Sequence, residues 1–164
     1  LTGSLGTGQG LTGNDLDNAV LAGAGADTLA GGLGVDTLTG NDGADSLLGE
    51  DGADSLLGDV GADTLVGGTG ADSLNDGTGT DFYVFRAVAE GGDRIVSYSV
   101  TDDTMGFEAA AFGLPVGTLA ALRFLGGAGV TAAVTADQRF LYNTTDGTLR
   151  YDADGNGAGA AVLM

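Results

Sequence analysis

Residues 31–75 read GGLGVDTLT, GNDGADSLL, GEDGADSLL, GDVGADTLV, GGTGADSLN: five nonapeptides in register without an insertion. The beat runs further than this stretch. Asp27, Asp36, Asp45, Asp54, Asp63, Asp72 and Asp81 stand nine residues apart. Leu29, Leu38, Leu47, Leu56, Leu65 and Leu74 follow the first six by two residues. A glycine precedes each aspartate by two, from Gly25 through Gly34, Gly43, Gly52, Gly61 and Gly70 to Gly79. A fixed period with three locked positions is the signature of a stacked repeat architecture.

Each unit divides into two parts. In Gly31–Thr39 six residues turn the chain, because glycine adopts positive φ without penalty. Thr37-Leu38-Thr39 then forms a short strand whose alternation points Leu38 inward. Two units bring the chain back on itself after 18 residues, so residues 13–84 make eight units and four coils. The fold class this predicts is all-β: a parallel β-roll followed by a β-rich capping region. Position two of the unit departs from glycine at Asn41, Glu50 and Asp59. Upstream, Gly13–Leu21 keeps only the skeleton, with Leu16 in a glycine position and Asn18 for the aspartate.

Stacking every 18 residues brings the aspartates together on two edges. One edge gathers Asp27, Asp45, Asp63 and Asp81; the other gathers Asn18, Asp36, Asp54 and Asp72. Between vertical neighbours lies a pocket walled by two carboxylates and by the turn carbonyls that glycine leaves unshielded. An adaptable, anionic, all-oxygen pocket suits Ca²⁺, which takes six to eight oxygens at about 2.3–2.6 Å. Softer metals want the Cys or His that this chain lacks.

The composition supports a cation partner. The chain carries 23 acids against five bases, all arginine, for a net charge of −18. Residues 1–81 hold 14 acids and no base. That excess of like charge opposes folding unless something positive neutralises it. It also argues against nucleic acid and against an anionic membrane surface. Without His or Cys the chain has no catalytic triad, no thiol nucleophile and no zinc-protease motif. No apolar run reaches the roughly 18 residues of a membrane span, so no membrane insertion is expected. The expectation is a non-enzymatic chain, any catalytic domain lying outside it.

Gly-Gly-x-Gly-x-Asp-x-Leu-x, as carried by residues 13–84, resembles the RTX (repeats-in-toxin, haemolysin-type) nonapeptide, a known Ca²⁺-binding β-roll repeat. The resemblance implies a ligand set. One loop gives carbonyls from positions two and four with its position-six carboxylate; the loop 18 residues on gives carbonyls from positions one and three with its own. Asp27 and Asp45 would then be joined by Gly23, Gly25, Gly40 and Asp42. Asp36 and Asp54 would be joined by Gly32, Gly34, Gly49 and Asp51. Asp45 and Asp63 would use Asn41, Gly43, Gly58 and Val60. Asp54 and Asp72 would use Glu50, Gly52, Gly67 and Thr69. Asp63 and Asp81 would use Asp59, Gly61, Asp76 and Thr78. These are about five Ca²⁺ sites. A sixth, between Asn18 and Asp36, is compromised because Asn18 lacks the charge and Leu16 replaces a glycine.

The period stops near residue 86. The chain therefore reads as an N-terminal cap or degenerate repeat over 1–12, the repeat array over 13–84, and a capping region over 85–164. Phe82–Phe85 is a β-prone run suited to close the last coil, and Arg94–Tyr98 a second strand. Gly117–Leu122 reads as a helical turn after Pro115. Arg139–Tyr142 and Thr148–Tyr151 flank a turn and predict a hairpin. Residues 139–157 resemble the closing region of bacterial RTX proteins exported by type I secretion. That resemblance implies a transient exporter partner and a secreted or cell-surface location. Asp152, Asp154 and Asn156 echo the first ligands of an EF-hand loop, but Leu163 stands where its closing Glu belongs. Asp93, Asp102 and Asp103 could ligate metal at the roll's exit, but ordinary surface placement is the expectation. Two other contexts fit the same sequence: the tail of a secreted metalloprotease or lipase, or a surface-layer, adhesin or filament subunit that self-associates through Ca²⁺.

Overall fold

A computed structural model describes residues 1–112 apart from 4, 5, 7, 89, 91, 100 and 109, and beyond them residues 124–127, 140–143, 145, 147–151 and 162–163. The helical turn expected at 117–122 and the EF-hand-like segment at 152–156 lie outside the described residues. Within them every regular element is a strand. The first eleven are β1 (Gly10–Thr12), β2 (Ala19–Leu21), β3 (Thr28–Leu33), β4 (Thr37–Asp42), β5 (Ser46–Asp51), β6 (Ser55–Val60), β7 (Thr64–Thr69), β8 (Ser73–Asn75), β9 (Phe82–Phe85), β10 (Arg94–Ile95) and β11 (Thr104–Phe107).

These strands alternate between two faces. One sheet runs β1-β3-β5-β7-β9-β11, and the other contains β2, β4, β6, β8 and β10 in parallel succession. The result is a parallel β-solenoid of about five turns. Through the repeats the register is 18 residues, as in Leu29↔Leu47, Leu38↔Leu56 and Leu47↔Leu65. The parallel pairing continues past residue 84, where Ile95 lies against Leu74 and Met105 against Tyr83.

The strands of the central coils are six residues long, not three. Pairing continues across the first half of each turn, as in Gly32↔Glu50 and Leu33↔Asp51. The reason is that the turns stack as regularly as the strands do. Gly34 N–H reaches the Asp51 carbonyl at 2.9 Å and Gly43 N–H the Val60 carbonyl at 2.8 Å, so the ladder passes round the bend. A backbone group that finds its partner one coil away has no need of a local turn bond.

Leu29, Leu38, Leu47, Leu56, Leu65 and Leu74 form the core, none more than 1 % exposed. Each buried leucine stabilises the roll by roughly 1.5–3 kcal/mol. Aromatics close the core at the exit. Tyr83 and Phe85 are buried, Tyr98 meets Tyr83 edge-on at 6.1 Å, and Phe107 stacks on Phe85 at 5.4 Å.

Beyond the roll lie β12 (Phe124–Gly127), β13 (Phe140–Asn143), β14 (Thr148–Tyr151) and β15 (Val162–Leu163). The hairpin expected from residues 139–151 is the antiparallel pair β13–β14. It joins the roll through Arg94↔Thr148 and through Ile95 N–H to the Gly147 carbonyl at 2.9 Å. Leu149 is fully buried and belongs to the same core.

Candidate metal centre

The aspartates of each edge are linked head to tail. The backbone N–H of Asp27 donates to Asp45 Oδ1 at 2.7 Å, that of Asp45 to Asp63 at 2.8 Å, and that of Asp63 to Asp81 at 2.7 Å. On the other edge Asp36 donates to Asp54 and Asp54 to Asp72, both at 2.8 Å. All seven side chains are buried, none more than 3 % exposed. One oxygen of each carboxylate thus holds the loop beneath it.

The second oxygen is left over. Oδ2 of Asp27, Asp36, Asp45, Asp54, Asp63 and Asp72 is buried without a hydrogen-bond partner. Unpaired buried polar atoms are costly, and charged ones more so. A run of six in the same place asks for a common partner, and Oδ2, as an acceptor, calls for a proton or a cation.

The surrounding backbone leaves room for one. At Gly31, Gly40, Gly49, Gly58 and Gly67 an added Cβ would run into the orphaned Oδ2 of the aspartate five residues on. The same space is bordered by the carbonyl oxygens of Gly49, Gly58, Gly67 and Asp76 from the next coil. Each first glycine therefore keeps open a cradle lined by a carboxylate and a carbonyl. The position-four glycines serve a different need. A side chain at Gly43, Gly61, Gly70 or Gly79 would overlap the carbonyl of the glycine one coil below.

Without a cation the ladder repels itself. Carboxylates stacked at the strand spacing of about 4.8 Å oppose each other by about 3 kcal/mol per step at an effective dielectric of 20. Burial pushes Asp54 and Asp63 up to about 6, and the charges of the neighbouring rungs add to the shift, against the backbone N–H bonds that lower it. Asp45, Asp72 and Asp81 are raised from the same leading cause. The donor set is oxygen only and carries repeated negative charge, which fits Ca²⁺.

Comparison with protein families matches residues 7–38, 21–56, 31–65 and 57–86 to the RTX calcium-binding nonapeptide repeat, in four overlapping copies. Residues 7–86 belong to the RTX family. No curated protein matches the chain.

The RTX ligand set falls on this geometry as follows. The position-six aspartates form the two ladders. The position-one carbonyls of Gly49, Gly58, Gly67 and Asp76 border the cradles. The position-three carbonyls of Asp42, Asp51, Val60, Thr69 and Thr78 accept N–H bonds from Gly25, Gly34, Gly43, Gly52 and Gly61 at 2.7–2.9 Å, leaving one lone pair each. The position-four carbonyls of Gly25, Gly34, Gly43, Gly52 and Gly61 face the α-carbons of the glycines one coil above. At position two, the carbonyls of Glu50 and Asp59 face Gly68 and Gly77. Asn41, Glu50 and Asp59 hold the left-handed conformation expected of glycine there, with φ of 70°, 77° and 75°. Gly32 does so at 114°. Gly23 is buried ahead of β3, and Gly40 contributes its cradle beside Asp45.

The two ends of the ladders depart from the RTX pattern. At the entry, Asn18 N–H donates to Asp36 Oδ1 at 2.7 Å, as an aspartate would. Its side-chain oxygen occupies the place of the orphaned Oδ2 beside Gly13, but it already accepts Asn14 N–H at 2.8 Å. At the exit, surface placement is wrong for Asp93 and Asp103. Asp93 is 1 % exposed and accepts Asp72 N–H at 3.0 Å; Asp103 is half-buried and accepts Asp81 N–H at 3.0 Å. Each ladder thus gains one rung beyond the repeats. Burial, with the Asp72 and Glu90 charges behind it, pushes Asp93 up to about 7. Asp102 is exposed, as expected.

Proposed function

We propose that this chain is a Ca²⁺-triggered folding module of a protein exported by type I secretion, and that it performs no catalysis itself. The observation that carries the reading is the run of buried, unpartnered Oδ2 atoms on both edges of the roll. A protein rarely buries so many acceptors of one sign unless a cation completes them. The same burial makes the metal-free roll unfavourable, so binding and folding become one event.

The environment supplies the switch. Extracellular Ca²⁺ modules work at about 10⁻⁴–10⁻³ M, far above cytosolic levels. At cytosolic Ca²⁺ the 14 acids of residues 1–81 repel one another and favour an open, threadable chain. Outside the cell Ca²⁺ would neutralise the ladders and the roll would close. Secretion and an extracellular or cell-surface location follow from this reading. The absence of His and Cys supports a binding role for these 164 residues.

Far-UV circular dichroism during a Ca²⁺ titration tests the reading. The spectrum should pass from coil to β as Ca²⁺ rises through the sub-millimolar range, and excess EGTA should reverse it. A β spectrum that persists in EGTA at neutral pH would refute it.

A further inference from the structure

The last repeat breaks the glycine rule at position one, as Ala22 does in the repeat of Asp27, but with a charged side chain. Asp76 stands in the position held by Gly31, Gly40, Gly49, Gly58 and Gly67. At those glycines a side chain would enter the cradle of the aspartate five residues on. The side chain of Asp76 does enter it, and the aspartate five residues on is Asp81. The next rung above Asp81 is Asp103, which accepts the Asp81 N–H. Asp76, Asp81 and Asp103 each present a carboxylate oxygen within 4.8 Å of the other two.

Asp76 serves two levels of the roll. Its carbonyl borders the cradle of Asp63 beside Gly58, one step down. Its carboxylate faces the step above. Oδ1 accepts Gly77 N–H at 2.7 Å and the Ser97 hydroxyl, which fixes its orientation. Oδ2 is buried with no hydrogen-bond partner, in a residue only 1 % exposed.

A second group points into the same space. Tyr83 takes the leucine slot of this repeat and is fully buried, with its hydroxyl against Asp76. That hydroxyl lies in the field of Asp76 and Asp103, whose charges, after burial itself, push its ionisation upward. The phenol hydroxyl can satisfy one carboxylate oxygen as a donor, but it brings no charge to offset three acids, which a cation would. The charged neighbours acting on Asp81 and Asp103, namely Asp103 and Asp76, are themselves acids.

We infer that Asp76, Asp81 and Asp103 form a separate Ca²⁺ site at the exit of the roll, outside the nonapeptide register. The repeat pockets have two carboxylates each; this one has three, with the Tyr83 hydroxyl alongside. More ligand charge means tighter Ca²⁺ binding. The site rests on the ladder reading but not on the nonapeptide ligand set.

Tyrosine provides the assay. The chain has four tyrosines and no tryptophan, so sensitised Tb³⁺ luminescence comes from tyrosine. Tyr83 and Tyr98 both stand beside the three acids, Tyr98 with its hydroxyl on the Asp103 carbonyl at 3.4 Å. Two variants separate the exit site from the repeats. Asp103→Asn removes a charge outside the nonapeptides while keeping an oxygen for the Asp81 N–H, and Asp76→Gly installs the glycine of Gly31, Gly40, Gly49, Gly58 and Gly67. Both should bind one Ca²⁺ fewer per chain by calorimetry and lose most of the sensitised emission, several-fold against the unaltered chain. Equal ion counts and equal emission in the variants overturn the exit site. An unaltered chain without tyrosine-sensitised emission at saturating Tb³⁺ overturns it too, without recourse to a variant. Should the repeats themselves fail to bind, the unaltered chain would show no coil-to-β transition with Ca²⁺. A normal transition with unchanged counts rejects the exit site alone.

Discussion

At the entry of the roll Asn18 takes the place of a ladder aspartate, and its amide is tied into its own loop by Asn14 N–H and the Leu16 carbonyl. At the exit the place of a first glycine is taken by Asp76, which brings a third acid to Asp81 and Asp103. Both ends keep the 18-residue geometry of the backbone ladder or a close variant of it, yet one end is neutral and self-satisfied while the other accumulates charge. The fold tolerates either, because the rung itself is a backbone N–H to side-chain oxygen bond, which an amide or a carboxylate can accept. What differs is the leftover oxygen. Dependence on metal should therefore rise along the roll from entry to exit.

The largest effect should come from neutralising a rung in the charged region. Asp63 accepts the Asp45 N–H, and its own N–H donates to Asp81, so it walls a pocket above and a pocket below. Asp36 walls one fully charged pocket, with Asp54, and shares the other with neutral Asn18. Asp63→Asn should raise the Ca²⁺ needed for half-maximal β signal by about tenfold, or ~1.4 kcal/mol; Asp36→Asn should raise it only a few-fold. Equal shifts would show that position along the ladder does not matter.

Protons offer a gentler probe, since they can occupy the same leftover oxygens. Asp54 and Asp63 titrate near 6 in the metal-free roll, above the ordinary value of 3.8. The folded state then holds protons more tightly than the unfolded chain. Its stability from this source is full below about 4 and lost as pH rises through 6. Metal-stripped protein should accordingly gain β signal as pH falls from 7 to 5. The Ca²⁺ midpoint should move the other way, to higher Ca²⁺ at pH 5 than at pH 7, because a ligand must first shed its proton. Loss of β signal on acidifying the metal-free chain would contradict the first half, and an equal or lower Ca²⁺ midpoint at pH 5 the second.

Much of this was legible in the residues, and the gaps have identifiable causes. The leucine line and the two ladders follow directly from an unbroken nine-residue period. Strand length does not, because the turns owe their strand character to the stacked turn one coil away, as in Gly34 N–H to Asp51, and not to local β propensity. Asp93 and Asp103 stand out as possible ligands at the exit, but not as buried rungs, because inserted residues stretch the step from 18 to 21 (93 − 72) and 22 (103 − 81). A signal was nonetheless present. Asp93-Arg94-Ile95 and Asp103-Thr104-Met105 keep an apolar residue two after the aspartate, and those residues pair with Leu74 and Tyr83. The third acid of the exit was named as well, but only for its carbonyl. That Asp76 also sends its carboxylate to the level above depends on which side of the roll a Cβ faces, which spacing alone does not reveal.

The smallest effect expected is a gain. Asn18→Asp would place a second carboxylate in the pocket that Asn18 shares with Asp36. The substitution keeps the oxygen that accepts Asn14 N–H and the backbone bond to Asp36; it loses only the amide donations to Leu16 and Asn14, residues exposed enough for water to replace them. One more Ca²⁺ per chain should bind, measured by calorimetry. The folding midpoint should fall by roughly twofold at most, since an end pocket can help order only the coil next to it. An unchanged ion count would place the defect elsewhere in that loop. The remaining candidate is Leu16, which occupies a glycine position where the backbone must pass close to the coil above, at Gly34. Asn18→Asp combined with Leu16→Gly would then be required to recover the pocket, and the entry would be closed by the shape of its backbone before its missing charge mattered.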